Sequence, residues 1–121
     1  VSDVLVGEDD PDLGPMVRAV LSLLGHTCVL CRTGEEVLAR HAEVDPALVV
    51  LDVQMAGTLT GLDVVRRLRA DGVRTPVLVM SGSTVALDRD AAVESGADDY
   101  LSKPFDLSVL EARVAALLPP A

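Results

Sequence analysis

Five times along this chain a short run of β-branched and aliphatic residues gives way to a stretch whose apolar residues have helical spacing, and that alternation leaves few folds open. Val4-Leu5-Val6, Cys28-Val29-Leu30, Ala47-Leu48-Val49-Val50-Leu51 and Val77-Leu78-Val79-Met80 lack polar alternation, as strands covered on both faces do. Tyr100-Leu101-Ser102 is a weaker fifth strand. In the first helix Leu13, Met16, Val17, Val20, Leu21 and Leu24 share one face, and Pro15 falls in the first turn, where its missing N–H is tolerated. Thr33-Gly34-Glu35-Glu36 and Thr60-Gly61-Leu62-Asp63 fit the capping box that opens a helix. Asp106 caps a last helix whose stripe is Leu107, Leu110, Val114, Leu117 and Leu118. The fourth helix, around Ala86 to Ser95, is the least regular. Strands alternating with helices predict an α/β chain with a parallel five-stranded sheet and helices on both faces. Residues 1–121 suffice for one domain and leave none over for a second. Pro119-Pro120-Ala121 reads as a helix stop or the start of a linker, and the absent initiator Met fits either processing or excision from a longer protein.

Composition removes several classes of function. Half of the residues are hydrophobic, too many for a disordered chain. Nineteen acidic side chains against ten basic give a net charge of −9, and there is one tyrosine, one phenylalanine and no tryptophan. Such a surface offers nucleic acid neither a basic face nor a stacking platform. The apolar runs are too short to span a bilayer, and Asp3, Glu8, Asp9 and Asp10 break any signal-peptide pattern, so a soluble cytoplasmic chain without membrane contact is expected. Cys28 and Cys31 have C-x-x-C spacing, but side chains three apart on a strand point to opposite faces and no second Cys/His pair completes a zinc site. They read as structural, and His26 and His41, near helix ends, as turn or surface residues.

In an open parallel sheet the functional crevice lies outside the carboxyl ends of the strands, where strand order reverses. The first strand ends in Glu8-Asp9-Asp10, the third in Asp52, the fourth in Ser81 and the fifth in Lys103-Pro104. Carboxylates, a hydroxyl and an ammonium are thus expected on one rim. Clustered carboxylates raise one another's pKa unless a cation neutralises them, and a hard divalent ion such as Mg²⁺ suits oxygen ligands while leaving positions for phosphoryl oxygens. Mg²⁺ on one side and Lys103 on the other would stabilise a phosphoryl group under attack by a carboxylate, with Ser81 donating a hydrogen bond. Lys103 is the only lysine, and it shares six consecutive positions with both aromatics, Tyr100 and Phe105.

Four segments carry a family resemblance: Val4-Leu5-Val6-Gly7-Glu8-Asp9-Asp10-Pro11, Leu51-Asp52-Val53-Gln54-Met55, Pro76-Val77-Leu78-Val79-Met80-Ser81-Gly82 and Gly96-Ala97-Asp98-Asp99-Tyr100-Leu101-Ser102-Lys103-Pro104-Phe105. In order, and over the whole chain, they resemble the receiver domain of two-component response regulators. The resemblance implies a (βα)₅ flavodoxin-like three-layer sandwich with strand order 2-1-3-4-5. It implies that Asp52 accepts a phosphoryl group from a histidine kinase or histidine phosphotransfer domain. Mg²⁺ would be bound by Asp9, Asp52 and the Gln54 backbone carbonyl, and by Glu8 through a water. Lys103 would contact the phosphoryl group, and Ser81 and Tyr100 would form a switch pair, Ser81 moving to the phosphoryl oxygens and Tyr100 turning inward. Asp10 reads as a helix-capping or neighbouring residue. The readout would be the face of the fourth helix, fifth strand and fifth helix, toward an output domain or a downstream protein. Only self-phosphorylation and autodephosphorylation are expected as chemistry, with Gln54 and Ser83 at positions that tune the latter.

The sequence departs from the family pattern at Met55-Ala56-Gly57, where similar sequences often read Met-Pro-Gly, and Gly57-Thr58-Leu59-Thr60-Gly61 is one residue longer than the shortest form. Charge pairs of Glu111 and Arg113 with Asp98 and Asp99 would suit a homodimer, but Val109 replaces an acidic residue often found there, and solvated surface charges are the equal alternative. A haloacid-dehalogenase-like aspartyl-phosphate hydrolase needs a second Asp two residues after the nucleophile, where this chain has Gln54. A phosphorylation-independent binding module on the same fold would not need the intact set of Glu8, Asp9, Asp52, Ser81 and Lys103. Flavin binding lacks a hydroxyl-rich loop after the first strand and the aromatics to sandwich the ring.

Overall fold

The computed structural model describes residues 2–82 and 85–118, so Ser83 and Pro119-Pro120-Ala121 lie outside the described residues. Strands and helices alternate as the apolar pattern requires: β1 (Asp3–Gly7), α1 (Leu13–Leu23), β2 (Thr27–Cys31), α2 (Gly34–Val44), β3 (Leu48–Asp52), α3 (Gly61–Ala70), β4 (Val77–Ser81), α4 (Val85–Ser95), β5 (Asp99–Ser102) and α5 (Leu107–Leu117). All pairings are parallel, in the order β2-β1-β3-β4-β5. The chain runs outward from β1 to β2, then crosses back to place β3 on the other side of β1. That reversal opens the crevice between the ends of β1 and β3.

The period-2 geometry of a strand divides the core. Val4, Val6, Leu48, Val50, Leu78, Met80 and Leu101 face α1 and α5, whose Val17, Val20, Leu21, Leu110 and Val114 are buried against them. Leu5, Val49, Leu51, Val77, Val79 and Tyr100 face the other way, onto Val37 of α2, Val64, Val65 and Leu68 of α3 and Ala92 of α4. The cysteines follow the same rule. Cys28 packs on the α1/α5 side and Cys31 is buried on the other, both free. Burial, helped by Glu36, pushes the Cys31 thiol up to about 12, which makes it a small apolar side chain rather than a nucleophile.

Several local expectations change. β2 is an edge strand, so only Cys31 is fully buried and Thr27 is exposed, although its sequence reads like an interior strand. Met16 and Leu24 of the α1 stripe are 38% and 39% exposed, because the sheet reaches only the Val17, Val20 and Leu21 side of the helix. Thr33 caps α2 by accepting the Glu36 amide, and Thr60 with Asp63 forms a complete capping box on α3. Asp106 takes the N-cap position of α5, but its side chain makes no capping bond; its backbone carbonyl accepts the Val109 and Leu110 amides. His41 is neither a turn nor a surface residue. It is buried in the last turn of α2 with Nε2 3.0 Å from Thr75 Oγ1, and burial lowers its pKa against the opposing pull of Asp45.

Thr75 belongs to a polar corner at the amino end of the sheet. Arg69 Nε donates to the Gly96 carbonyl at 3.0 Å, Nη1 to the Val73 and Thr75 carbonyls at 2.9 Å each, and Nη2 to Asp98 Oδ2 at 2.9 Å. Asp98 Oδ2 also accepts the Val77 amide at 2.8 Å, so the corner ties α3 to the starts of β4 and β5. The approach is close enough that a Cβ on Gly96, at φ +105°, would meet the Arg69 side chain.

Candidate functional site

Each strand that ends at the crevice delivers a polar residue because its apolar run stops one position short of the rim. Asp52 is the last residue of β3 and Ser81 the last of β4, while Glu8 and Asp9 follow β1 and Lys103 follows β5. Backbone bonds fix these ends: the Glu8 amide donates to the Cys31 carbonyl at 2.9 Å and the Lys103 amide to the Ser81 carbonyl at 2.8 Å. Together with Asp10, Gln54, Met55, Ala56 and Gly82, they line a cleft of about 590 Å³. The carboxylates, hydroxyl and ammonium expected on the rim are therefore in one place, and Tyr100 lies behind them.

Lys103 crosses the cleft. Its Nζ is 2.9 Å from Glu8 Oε1 and 2.5 Å from Asp52 Oδ2, and Asp52 Oδ1 accepts the Gln54 amide at 3.2 Å. Glu8 and Asp52 are buried, so these contacts are poorly screened. Two buried carboxylates against one ammonium leave negative charge in excess. Burial, reinforced by Asp52, pushes the Glu8 carboxyl up to about 7 against the opposing pull of Lys103. Burial also works against the Lys103 ammonium, but the bonds to Asp52 and Glu8 outweigh it and hold its pKa above the ordinary lysine value. Asp10 stands apart: its Oδ1 accepts the Asp12 and Leu13 amides at 2.8 and 3.1 Å, and those bonds hold its carboxyl below the usual range. It caps the entry to α1, as the sequence indicates.

The residues present suit a divalent cation. Glu8, Asp9 and Asp52 each offer a carboxylate oxygen, all within 4.8 Å of one another. Hard oxygen donors of this kind select Mg²⁺ or Ca²⁺.

Tyr100 is 4% exposed, packed in the core cluster with Val79 and Ala92, and Arg89 of α4 lies 6.0 Å from the ring centroid. The ring thus takes the inward position, on the side of the sheet that faces α4. Among the described residues its hydroxyl has no hydrogen-bond partner. Arg113 Nη1 is 2.7 Å from Asp99 Oδ1, and Arg69 pairs with Asp98, so both acidic candidates for pairing across a dimer have partners within the chain. The sequence reading missed Glu35, whose carboxylate reaches the loop between β3 and α3.

A doubly wound parallel sheet whose switch point gathers acids and one ammonium defines a class of small phosphoacceptor signalling domains. The family described as response regulator receiver domain matches residues 4–115. The chain belongs to this family of two-component signalling domains. The response regulator protein PmrA of Pseudomonas aeruginosa is 46% identical over 116 residues, covering 94% of this chain and 51% of the relative. Response regulator MprA of Mycolicibacterium vanbaalenii is 43% identical over 115 residues, covering 95% of this chain and 49% of the relative. The chain thus spans about half the length of the curated relatives it matches. Among solved structures, the receiver domain of the Francisella response regulator 1452 has a TM-score of 0.91 at 28% identity, covering 97% of this chain and 96% of that one. These relatives support neither the hydrolase nor the phosphorylation-independent module. Among the described residues no helix is long and apolar enough to cross a membrane.

Proposed function

We propose that Asp52 is the phosphoacceptor of this receiver domain, taking a phosphoryl group from a histidine kinase or a histidine phosphotransfer domain in the cytoplasm. An Asp52 carboxylate oxygen forms the new P–O bond as the P–N bond of the donor phosphohistidine breaks, and the imidazole nitrogen keeps the electron pair. The observation that carries this reading is the Lys103 ammonium held against Asp52 Oδ2. Once that oxygen attacks, Lys103 is placed to follow the negative charge onto the phosphoryl oxygens. Glu8, Asp9, Asp52 and the Gln54 carbonyl would hold Mg²⁺, which when bound neutralises phosphoryl oxygens and the excess carboxylate charge. Ser81, at the end of β4, donates to a phosphoryl oxygen, and Tyr100 is held in its inward position. The change is read on the face formed by α4, β5 and α5, by an output domain in a chain twice this length or by a downstream protein. The remaining chemistry is self-phosphorylation from small phosphodonors and hydrolysis of the aspartyl phosphate.

An apolar cleft of about 420 Å³ beside the site, lined by Leu13, Met16, Gly82, Lys103, Pro104 and Phe105, supports a docking place for the donor protein. It gives the exposed Met16 of α1 a use that the core does not. With Mg²⁺ and acetyl phosphate, intact mass is expected to rise by one phosphoryl group that is lost in mild base, and Asp52→Asn is expected not to label. Labelling of Asp52→Asn at the wild-type rate would overturn the assignment.

A further inference from the structure

Glu35 lies in the first turn of α2 with an exposed side chain, yet its contacts lead back to the cleft. Its Oε1 accepts the Leu59 amide at 3.2 Å and its Oε2 accepts the Thr58 amide at 3.4 Å. Gly57, at φ +92°, makes room for this cradle, since a Cβ there would fall 2.8 Å from Glu35 Oε2. Ala56, the next residue back, forms a parallel bridge with Thr33, and Gln54, Met55 and Ala56 are a wall of the cleft.

The two ends of this loop are held without Glu35. Asp52 Oδ1 accepts the Gln54 amide, the Val53 carbonyl accepts the Gly61 amide at 2.8 Å, and Thr60 with Asp63 closes the capping box. Between them, the Thr33 bridge holds Ala56 and the Glu35 carboxylate holds Thr58 and Leu59. Ala56 also leaves φ unrestricted where a proline would lock it. A carboxylate accepting two successive amides makes charge-assisted bonds that restrain the loop from outside.

We infer that Glu35 is a positioning residue for the phosphoacceptor site, fixing the wall that carries Gln54 to Ala56 without touching the phosphoryl group. The inference rests on the proposed reading of the cleft, in which the Gln54 carbonyl faces Mg²⁺. Groups that orient a metal ligand directly alter affinity about 10- to 100-fold. Glu35 is exposed and acts through a loop, so Glu35→Ala is expected to weaken Mg²⁺ binding, measured by calorimetry, by about fivefold. Amide exchange at Thr58 and Leu59 should quicken by a similar factor. Glu35→Gln keeps one acceptor oxygen and should fall between alanine and wild type, while Glu35→Lys should lose at least as much as alanine.

A merely structural role is separated by Thr33→Ala, which removes the cap on the same helical turn but leaves the carboxylate in place; its Mg²⁺ affinity should stay within about twofold of wild type. Glu35→Ala binding Mg²⁺ like wild type, or Thr33→Ala losing as much as Glu35→Ala, would overturn the inference. Wild-type protein that neither binds Mg²⁺ nor labels on Asp52 would overturn the reading of the cleft instead. In that case unchanged exchange at Thr58 and Leu59 in Glu35→Ala still refutes the tether, and quickened exchange sustains it.

Discussion

At the amino end of the sheet Arg69 reaches from α3 into a corner where three carbonyls and Asp98 take up its donors. At the carboxyl end Lys103 reaches from the β5–α5 turn between two buried carboxylates in an open cleft. Both ends hold a partly buried cation against acid, but the accounts differ. The guanidinium's donors and the Asp98 oxygen are matched, and the corner links three elements. The ammonium is outnumbered by two buried carboxylates, and the Glu8 carboxyl is pushed up to about 7, chiefly by its burial with Asp52 adding to it. A matched network holds a fold together, whereas an unmatched one is ready for an incoming cation or phosphoryl group.

The largest expected effect that tests this contrast is at Lys103. Lys103→Ala should slow Asp52 labelling by acetyl phosphate on the order of 100-fold, the loss typical of a single charge-stabilising donor. Its melting temperature should change little, because it also leaves Glu8 free to take up a proton. A variant that unfolds while Arg69→Ala does not would invert the comparison. Arg69→Ala should be next: the lost donors to three part-buried carbonyls, with the ion pair to the half-exposed Asp98 discounted, cost about 2 kcal/mol. Thermal denaturation should show a drop of about 8 °C, with the labelling rate within about twofold of wild type.

The smallest effect is at His41, which joins the Arg69 corner through Thr75. Its folded pKa is depressed by burial, so the unfolded chain takes up the proton first on acidification. The stability that His41 contributes is therefore complete above about pH 6.5, the ordinary histidine value, and is lost as the pH falls through the lower folded value. The melting-temperature difference between wild type and His41→Gln should narrow between pH 7.5 and pH 5. A difference that widens would show that the buried imidazole prefers to be charged.

The carboxyl-end rim was legible from residue order because each interior strand is an apolar run that stops at a polar residue. Asp52 and Ser81 could be placed at strand ends without any knowledge of their neighbours. Thr33 and Thr60 were legible too as caps, since a cap bond closes within four residues, although only Thr60 with Asp63 completes the box. The amino-end corner was not, because Arg69 meets Asp98 only across the β4–α4–β5 crossover, 29 positions on, and no local pattern marks an arginine destined for carbonyls. His41 was misplaced for the same reason: its partner is 34 positions away. Glu35 was hidden in its role as a helix-opening residue, with its loop amides 23 and 24 positions on. Edge or interior placement was equally invisible in β2, whose Cys28-Val29-Leu30 run is as apolar as an interior strand.

Gly61, the first residue of α3, has no clearance behind it. A Cβ there would run into the carbonyl of Asp52 and the Cα of Val53. The helix therefore backs directly onto the main chain of Asp52 and Val53, as an anvil backs the work laid on it. Any tilt of α3, whatever drives it, reaches Asp52 without slack, so pressure on the outer face of that helix is felt at the rim of the cleft.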